Sequence, residues 1–344
     1  MSDPIDPLRL EEWMDSQGLG KGPIEKLSRL AGGTQNILLS FVRDGRNYVL
    51  RRPPATTIAD GDETMRREAR VLAAIADTDV PHARLIAACG DPAVIGAAFY
   101  LMEPVDGFNA TVALPPLHAG DPAIRRQMGF EIVDAAARLG RVDAHAVGLG
   151  DFGRTEGFLT RQPARWKSQL DGYARFAGWE GVGALPGIDA IGQWLESHSP
   201  ESFSPGIMHG DYHLANVMYR HDGPGVAAIV DWELATLGDP LIDLGWLIAT
   251  WPAADLDPAR LPVTPWEGFP EADELVEHYR ARSSRDMSGM LWYKVLACYK
   301  LGILLEGTHA RASAGKADPT VGRMLHEQTI FLLRRALRWL EAEA

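Results

Sequence analysis

Cysteine is almost absent from this 344-residue chain: Cys89 and Cys298 are the only two. Their wide separation gives neither a disulfide framework nor a zinc-binding spacing, and it points to a reducing, cytoplasmic setting. Long apolar runs are missing as well, and no stretch reaches the ~18 uninterrupted apolar residues of a membrane span. The opening MSDPIDPLRLEEW lacks the basic start and apolar run of a signal peptide. Positive charge is in short supply, with 34 Lys and Arg against 46 Asp and Glu and a formal net charge of −12. That balance argues against nucleic acid or an anionic membrane surface as the main partner. Neither a G-x-x-x-x-G-K-[ST] phosphate loop nor a G-x-S-x-G nucleophile elbow occurs. The string Gly148–Gly153 matches G-x-G-x-x-G, but a helix-like segment precedes it and no βαβ unit surrounds it, so it reads as a loop.

What is present is an ordinary globular composition, 46% hydrophobic, in a chain long enough for two lobes. Its most informative stretch is His209-Gly-Asp-Tyr-His-Leu-Ala-Asn216, followed by a hairpin that delivers Asp231 after the apolar run Val226–Val230. A hairpin of that length brings its ends together, so Asn216 and Asp231 can share one cation. Magnesium prefers hard oxygen donors and takes few of them from protein, which an Asn carbonyl and an Asp carboxylate satisfy. Asp211 then remains to accept the proton of a hydroxyl, or to orient that hydroxyl for attack on a phosphoryl group. His209 reads as a brace of the loop. A second class stays open: His209-x-Asp211-x-His213 also suits a zinc hydrolase, although the remaining histidines are scattered singly and supply no matching cluster.

The stretch resembles the catalytic loop and metal-binding strand of protein-kinase-like enzymes, where H-x-D-x-x-x-x-N precedes an Asp ending a hairpin. More narrowly, HGDYHLANVMY and VDWELATLGDP are similar to the aminoglycoside phosphotransferase family of small-molecule kinases. VLRRPP together with VDWELATLGDP looks most like the kinase-like domain fused to certain acyl-CoA dehydrogenases. The resemblance implies an α+β, protein-kinase-like two-lobe fold, with an antiparallel five-stranded N-lobe sheet plus a helix and a mostly helical C-lobe. It also implies ATP, Mg2+ and transfer to a small-molecule hydroxyl, with a hydroxyacyl-type acceptor. The expected divisions are a lead-in helix in 1–23, an N-lobe in 24–106 and a C-lobe in 107–344. Asp243 resembles the family carboxylate that supports the catalytic-loop backbone, whereas Asp239 reads as a helix N-cap.

The N-terminal third can be set against that pattern. Strands are expected at Ile24–Leu30, Ile37–Val42 and Tyr48–Arg52, the first two joined through Gly32, Gly33 and Thr34, whose small residues let backbone amides approach phosphate oxygens. Alternation puts Val49 and Arg51 on one strand face. By resemblance, Val49 lies against adenine and Arg51 takes the place of the phosphate-binding Lys. Arg binds phosphate in a fork but is no simple substitute, so a non-catalytic pseudokinase also stays open. A helix over 62–76, capped by Asp60 or Asp62, carries Met65, Ala69, Leu72 and Ile75 on one face, with Glu68 inside that stripe. A core-facing carboxylate needs a cation, and the resemblance supplies Arg51. It likewise makes Met102 a gatekeeper, Glu103 the hinge carbonyl and Val105 the hinge amide, with Pro104 at the position whose N–H is not used. Helices are expected over 123–145, 162–177, 187–198, 270–282, 287–306 and 319–342. Residues 251–344 balance acidic and basic residues closely, which offers no cation trap for a polycationic aminoglycoside.

Overall fold

A computed structural model describes residues 5–30, 36–54, 58–252 and 261–343. The Gly32-Gly33-Thr34 loop lies outside the described residues. After α1 (Pro7–Ser16), capped by Asp6 on the Leu8 N–H, come β1 (Glu25–Arg29), β2 (Ile37–Arg43) and β3 (Arg46–Arg52). They are followed by α2 (Ile58–Ala74), β4 (Leu85–Cys89) and β5 (Phe99–Met102). The five strands form an antiparallel sheet in the order β1-β2-β3-β5-β4. In β2 and β3 the two faces separate by alternation: Leu39, Phe41, Tyr48 and Leu50 pack with Leu10 and Met14 of α1, while Ser40, Val49 and Arg51 turn to the opposite side.

The helix α2 begins at Ile58, earlier than its apolar stripe suggests, so neither Asp60 nor Asp62 is its cap. Buried Asp62 instead accepts the Ala98 N–H at 2.7 Å and ties the helix to the approach of β5. A carboxylate within a helix does this because a buried N–H otherwise stays unpaired.

Beyond the sheet, β6 (Phe108–Asn109) precedes α3 (Pro116–Gly120), α4 (Pro122–Arg141), α5 (Arg161–Asp171) and α6 (Ile188–Ser197). Next are β7 (Gly206–Met208), β8 (Val217–Tyr219), β9 (Val226–Ile229) and β10 (Thr236–Gly238). The chain ends in α7 (Leu241–Thr250), α8 (Ala272–Arg280), α9 (Met290–Ser313) and α10 (Pro319–Glu343). Gly148–Gly153 is indeed loop and turn. The helical expectations hold within a few residues, except that 162–177 closes as α5 plus a short 3-10 turn at Gly172–Arg175 and that α9 runs on past 306 to Ser313. The small sheets β6-β8-β9 and β7-β10 carry the stretch from His209 to Asp231 on their strands and loops. Ile229 N–H also bonds Pro81 O at 2.9 Å, so the β8–β9 hairpin is fastened to the segment leading into β4.

The helix α7 is buried along nearly its whole length and packs on α9. Their approach depends on Gly245, where an added Cβ would lie 2.5 Å from the Tyr293 carbonyl oxygen. Gly245→Ala is therefore expected to destabilise the protein by about 1–3 kcal/mol through overpacking. Gly172→Ala, with nothing within 4 Å of the new methyl, should leave the denaturant midpoint unchanged. Equal midpoints for the two variants would mean that the helices separate freely here.

Candidate active site

A cleft of about 840 Å³ opens between the five-stranded sheet and the β8–β9 hairpin. Val49, Arg51, Met102, Glu103, Val105, Asn216 and Asp231 all line it. Antiparallel register sets Val49 beside Met102 and Arg51 beside Tyr100, which explains why hinge and strand residues reach one wall. The Glu103 N–H bonds the Arg84 carbonyl at 2.9 Å, and its carboxylate reaches Arg46 at 2.9 Å. These two contacts hold the turn that leads out of β5.

Arg51 is the electrostatic centre. Its side chain is 8% exposed, and that of Glu68 is 1% exposed. Nε lies 3.0 Å from Glu68 Oε2, but the aligned hydrogen bond runs from Nη2 to Glu68 Oε1 at 3.3 Å. Nη2 also donates to Asp231 Oδ1 at 2.5 Å and lies 3.9 Å from Glu233 Oε2. Tyr100 Oη donates to Glu68 Oε2 at 2.8 Å. Burial pushes the Glu68 carboxyl up to about 7 against the opposing pull of Arg51. Burial also works against the Arg51 charge, but Glu68, Tyr100 and Asp231 together hold its pKa above the ordinary value.

On the hairpin side, the Val230 N–H bonds Asn216 O at 2.9 Å, which brings Asn216 and Asp231 together. Asp231 has φ +69°, a left-handed backbone that Asp tolerates better than most residues. The Asn216 side-chain amide donates to Asp211 O at 2.9 Å and to Asp211 Oδ2 at 3.1 Å. With the nitrogen so engaged, the Asn216 side-chain carbonyl oxygen is left for a cation. Asp231, its side chain 38% exposed, lines the same cleft and offers carboxylate oxygen, with Oδ1 held by Arg51. This hard-oxygen donor set suits magnesium. The short-interval histidines serve otherwise. His209 is buried, and burial holds its pKa below the usual value, so the neutral ring donates Nε2–H to Val230 O at 2.9 Å. His213 Nε2 lies 3.2 Å from Asp211 Oδ1. Burial acts to raise the Asp211 carboxyl, yet the His213 hydrogen bond and neighbouring positive charge keep it below the ordinary range. Asp243, buried and pushed up to about 6, accepts the His209 N–H at 2.6 Å and the Gly210 N–H at 2.8 Å. Asp239 caps the Leu241 N–H at 3.0 Å from one residue before the helix's N-cap, which is Pro240, and accepts Tyr293 Oη.

A family model described as the phosphotransferase enzyme family matches residues 26–281. The chain belongs to that family. Among its relatives are acyl-CoA dehydrogenase family member 10 of Mus musculus, 27% identical over 308 residues and 86% of this chain, and family member 11 of Gallus gallus, 27% identical over 312 residues and 88% of this chain. The chain spans only 27% and 39% of the lengths of these two proteins. A solved Ralstonia eutropha structure assigned to the aminoglycoside phosphotransferases is 29% identical, with a TM-score of 0.82 over 98% of this chain and 99% of that one. The ternary complex of a thermostable mutant of aminoglycoside phosphotransferase APH(4)-Ia with AMP-PNP and hygromycin B shares the fold at 15% identity, with a TM-score of 0.54 over 92% of this chain and 97% of that one. The fold is thus the protein-kinase-like α+β fold of these phosphotransferases.

Sequence reasoning missed four participants that this family member brings to the site. Tyr100 is two residues before the gatekeeper position, where a strand returns to the same face. Glu233 follows Asp231 by two, and its Oε2 also accepts from Asn36 at 3.0 Å. His213 was weighed only as a zinc ligand. Lys300 lies 90 positions beyond Gly210 and touches its carbonyl, and nothing local sets it apart from Lys294 in the same largely apolar helical run. The buried pair makes a direct test possible. Glu68→Gln leaves Arg51 without its buried counter-charge and is expected to cost about 3 kcal/mol in urea unfolding. An unchanged unfolding free energy would show that Asp231 alone suffices for Arg51.

Proposed function

We propose that this family member is an ATP- and magnesium-dependent kinase that phosphorylates a hydroxyl of a small molecule. Residues 24–106 would form its nucleotide-binding lobe and residues 107–344 its catalytic lobe. The observation that carries this reading is that Asn216 and Asp231 line the cleft together with Arg51, that Asp231 accepts from Arg51, and that the Asn216 amide reaches the Asp211 carboxylate at 3.1 Å. Val49 and Met102 offer an apolar surface to a base, and the Glu103 carbonyl and Val105 N–H offer hinge hydrogen bonds. Gly32, Gly33 and Thr34 are assigned to the phosphates by their residue types. The placement of Asn216 and Asp231 suits them to hold magnesium, which would neutralise phosphate charge during transfer.

The chain's own chemistry follows from protonation states. Asp211 is ionised and held by His213 and the Asn216 amide, so it accepts the acceptor hydroxyl's proton as that oxygen bonds to the γ-phosphorus and the bond to the bridging oxygen of ADP breaks. Arg51 supplies fixed positive charge for the nucleotide phosphates, in competition with Asp231 for Nη2. Substituting Lys by Arg does not remove that ability, and the intact Asp211–Asn216–Asp231 set favours turnover over a pseudokinase. The matched relatives are named as acyl-CoA dehydrogenases, and this chain corresponds to a minority of their length. That pairing supports an acceptor of the hydroxyacyl type. The balanced charge of residues 251–344 speaks against a polycationic aminoglycoside.

An acceptor screen by mass spectrometry, with hydroxyacyl thioesters and kanamycin as probes, tests the reading. A phosphate should appear on a hydroxyacyl probe only with Mg-ATP and active protein, and kanamycin should stay unmodified. Asp211→Ala should lower transfer by roughly 10²–10⁴-fold while nucleotide affinity persists, and Asp231→Ala should weaken Mg-ATP binding as well. Full transfer by both variants would refute the roles given to these carboxylates, and rapid kanamycin phosphorylation would refute the acceptor class.

A further inference from the structure

Behind the catalytic loop, α5, α7 and α9 meet around a single buried cation. Lys300, on α9, is 9% exposed, and its ammonium donates to Gly210 O at 3.0 Å. Its Nζ lies 4.4 Å from the centre of the Trp246 ring and 5.5 Å from that of Trp166, so aromatic faces from α7 and α5 take the place of solvent. The acceptor of its hydrogen bond is the peptide between Gly210 and Asp211. Gly210 is itself left-handed, with φ +87°, and an added Cβ would lie 2.5 Å from the Leu234 carbonyl oxygen. The N–H of the same residue is taken by Asp243 Oδ1 at 2.8 Å. Gly210 is thus gripped at both polar ends, its N–H by a buried anion and its C=O by a buried cation.

An apolar side chain at position 300 would fill this space without the desolvation cost of an ammonium group. Burial pulls the Lys300 pKa down to about 8, while Asp243 and Asp211 act to keep the proton on and Arg165 acts to remove it. The cation is retained although packing alone does not need it, and its only hydrogen-bond acceptor among the described residues is the peptide that precedes the proton-accepting carboxylate.

We propose that Lys300 is a positioning residue for phosphoryl transfer: by holding the Gly210 carbonyl opposite Asp243, it fixes the peptide from which Asp211 projects. The proposal rests on the phosphotransferase reading for its functional consequence, but not for the clamp itself. Lys300 sets the orientation of Asp211 without touching nucleotide or acceptor, so its loss slows transfer and leaves nucleotide binding in place.

The test uses the full chain, with Lys300→Met removing the charge and donor and Lys300→Arg keeping both. Mg-ATP turnover to water, Mg-ATP affinity and hydrogen exchange of the 207–213 segment are measured together. Lys300→Met should keep Mg-ATP affinity within about threefold, lose turnover on the order of 10²-fold as a misplaced catalytic group does, and exchange faster in 207–213. Lys300→Arg should recover part of both losses. If Lys300→Met does not fold, Lys300→Gln, which keeps an N–H donor but no charge, replaces it, with exchange as the readout. Wild-type turnover and wild-type exchange in a folded Lys300→Met protein would overturn the proposal. Should the wild-type protein show no Asp211-dependent turnover, the phosphotransferase reading fails, and exchange alone then decides whether the clamp exists.

Discussion

Burying the Arg51 guanidinium is the constraint on which the rest of the site depends. A cation with its side chain 8% exposed needs counter-charge close by: Nη2 finds acceptors in Glu68 and Asp231, while Nε, 3.0 Å from Glu68 Oε2, is paired by charge without an aligned hydrogen bond. Glu68 comes from α2, Asp231 follows the β8–β9 hairpin, and Tyr100 on β5 completes the Glu68 end. One side chain therefore draws a helix, two strands and the hairpin to a common point. Asn36 and Glu233 add a second polar link between β2's start and the segment after the hairpin. The cleft's shape follows from these contacts, because its two walls are the elements they join.

The hairpin side obeys a comparable rule at the level of the backbone. Catalytic loops expose peptide groups that regular structure would pair, so each must be satisfied individually. His209 Nε2–H takes the Val230 carbonyl, Asp243 takes two N–H groups, and Lys300 takes the Gly210 carbonyl. Each partner is buried and two are charged, which makes the loop rigid at the expense of desolvation. Rigidity of this kind is what a proton acceptor needs if its carboxylate is to meet a hydroxyl in one geometry.

Much of this was legible in the chain before any coordinates. The stretch from His209 to Asp231 could be read because its functional groups are close in sequence and the hairpin between them has an unmistakable turn. Glu68 stood out because a carboxylate interrupts a stripe of Met65, Ala69, Leu72 and Ile75, all of which are buried. The start of α2 was misjudged because Asp62 looks like a cap by residue type, while its actual partner, the Ala98 N–H, is set by tertiary packing. The strands β4 and β6 escaped notice because one is only half-buried and the other has two residues, leaving little alternation to see. Lys300 was invisible for a different reason: its partner is 90 positions away, and only the α7–α9 packing brings them together. The acceptor's identity depends on how separated surfaces combine, which no local pattern encodes.

The central claim is that the cleft between Arg51 and the Asn216–Asp231 pair holds a nucleotide together with magnesium. Calorimetric titration with AMP-PNP tests it most directly, performed with magnesium and with chelator, on the wild-type chain and on an Asn216→Ala, Asp231→Ala double variant. The account predicts one nucleotide per chain, bound more tightly with magnesium, and loss of that magnesium dependence in the double variant. Binding that ignores magnesium in the wild-type chain, or magnesium dependence that survives in the double variant, would contradict it.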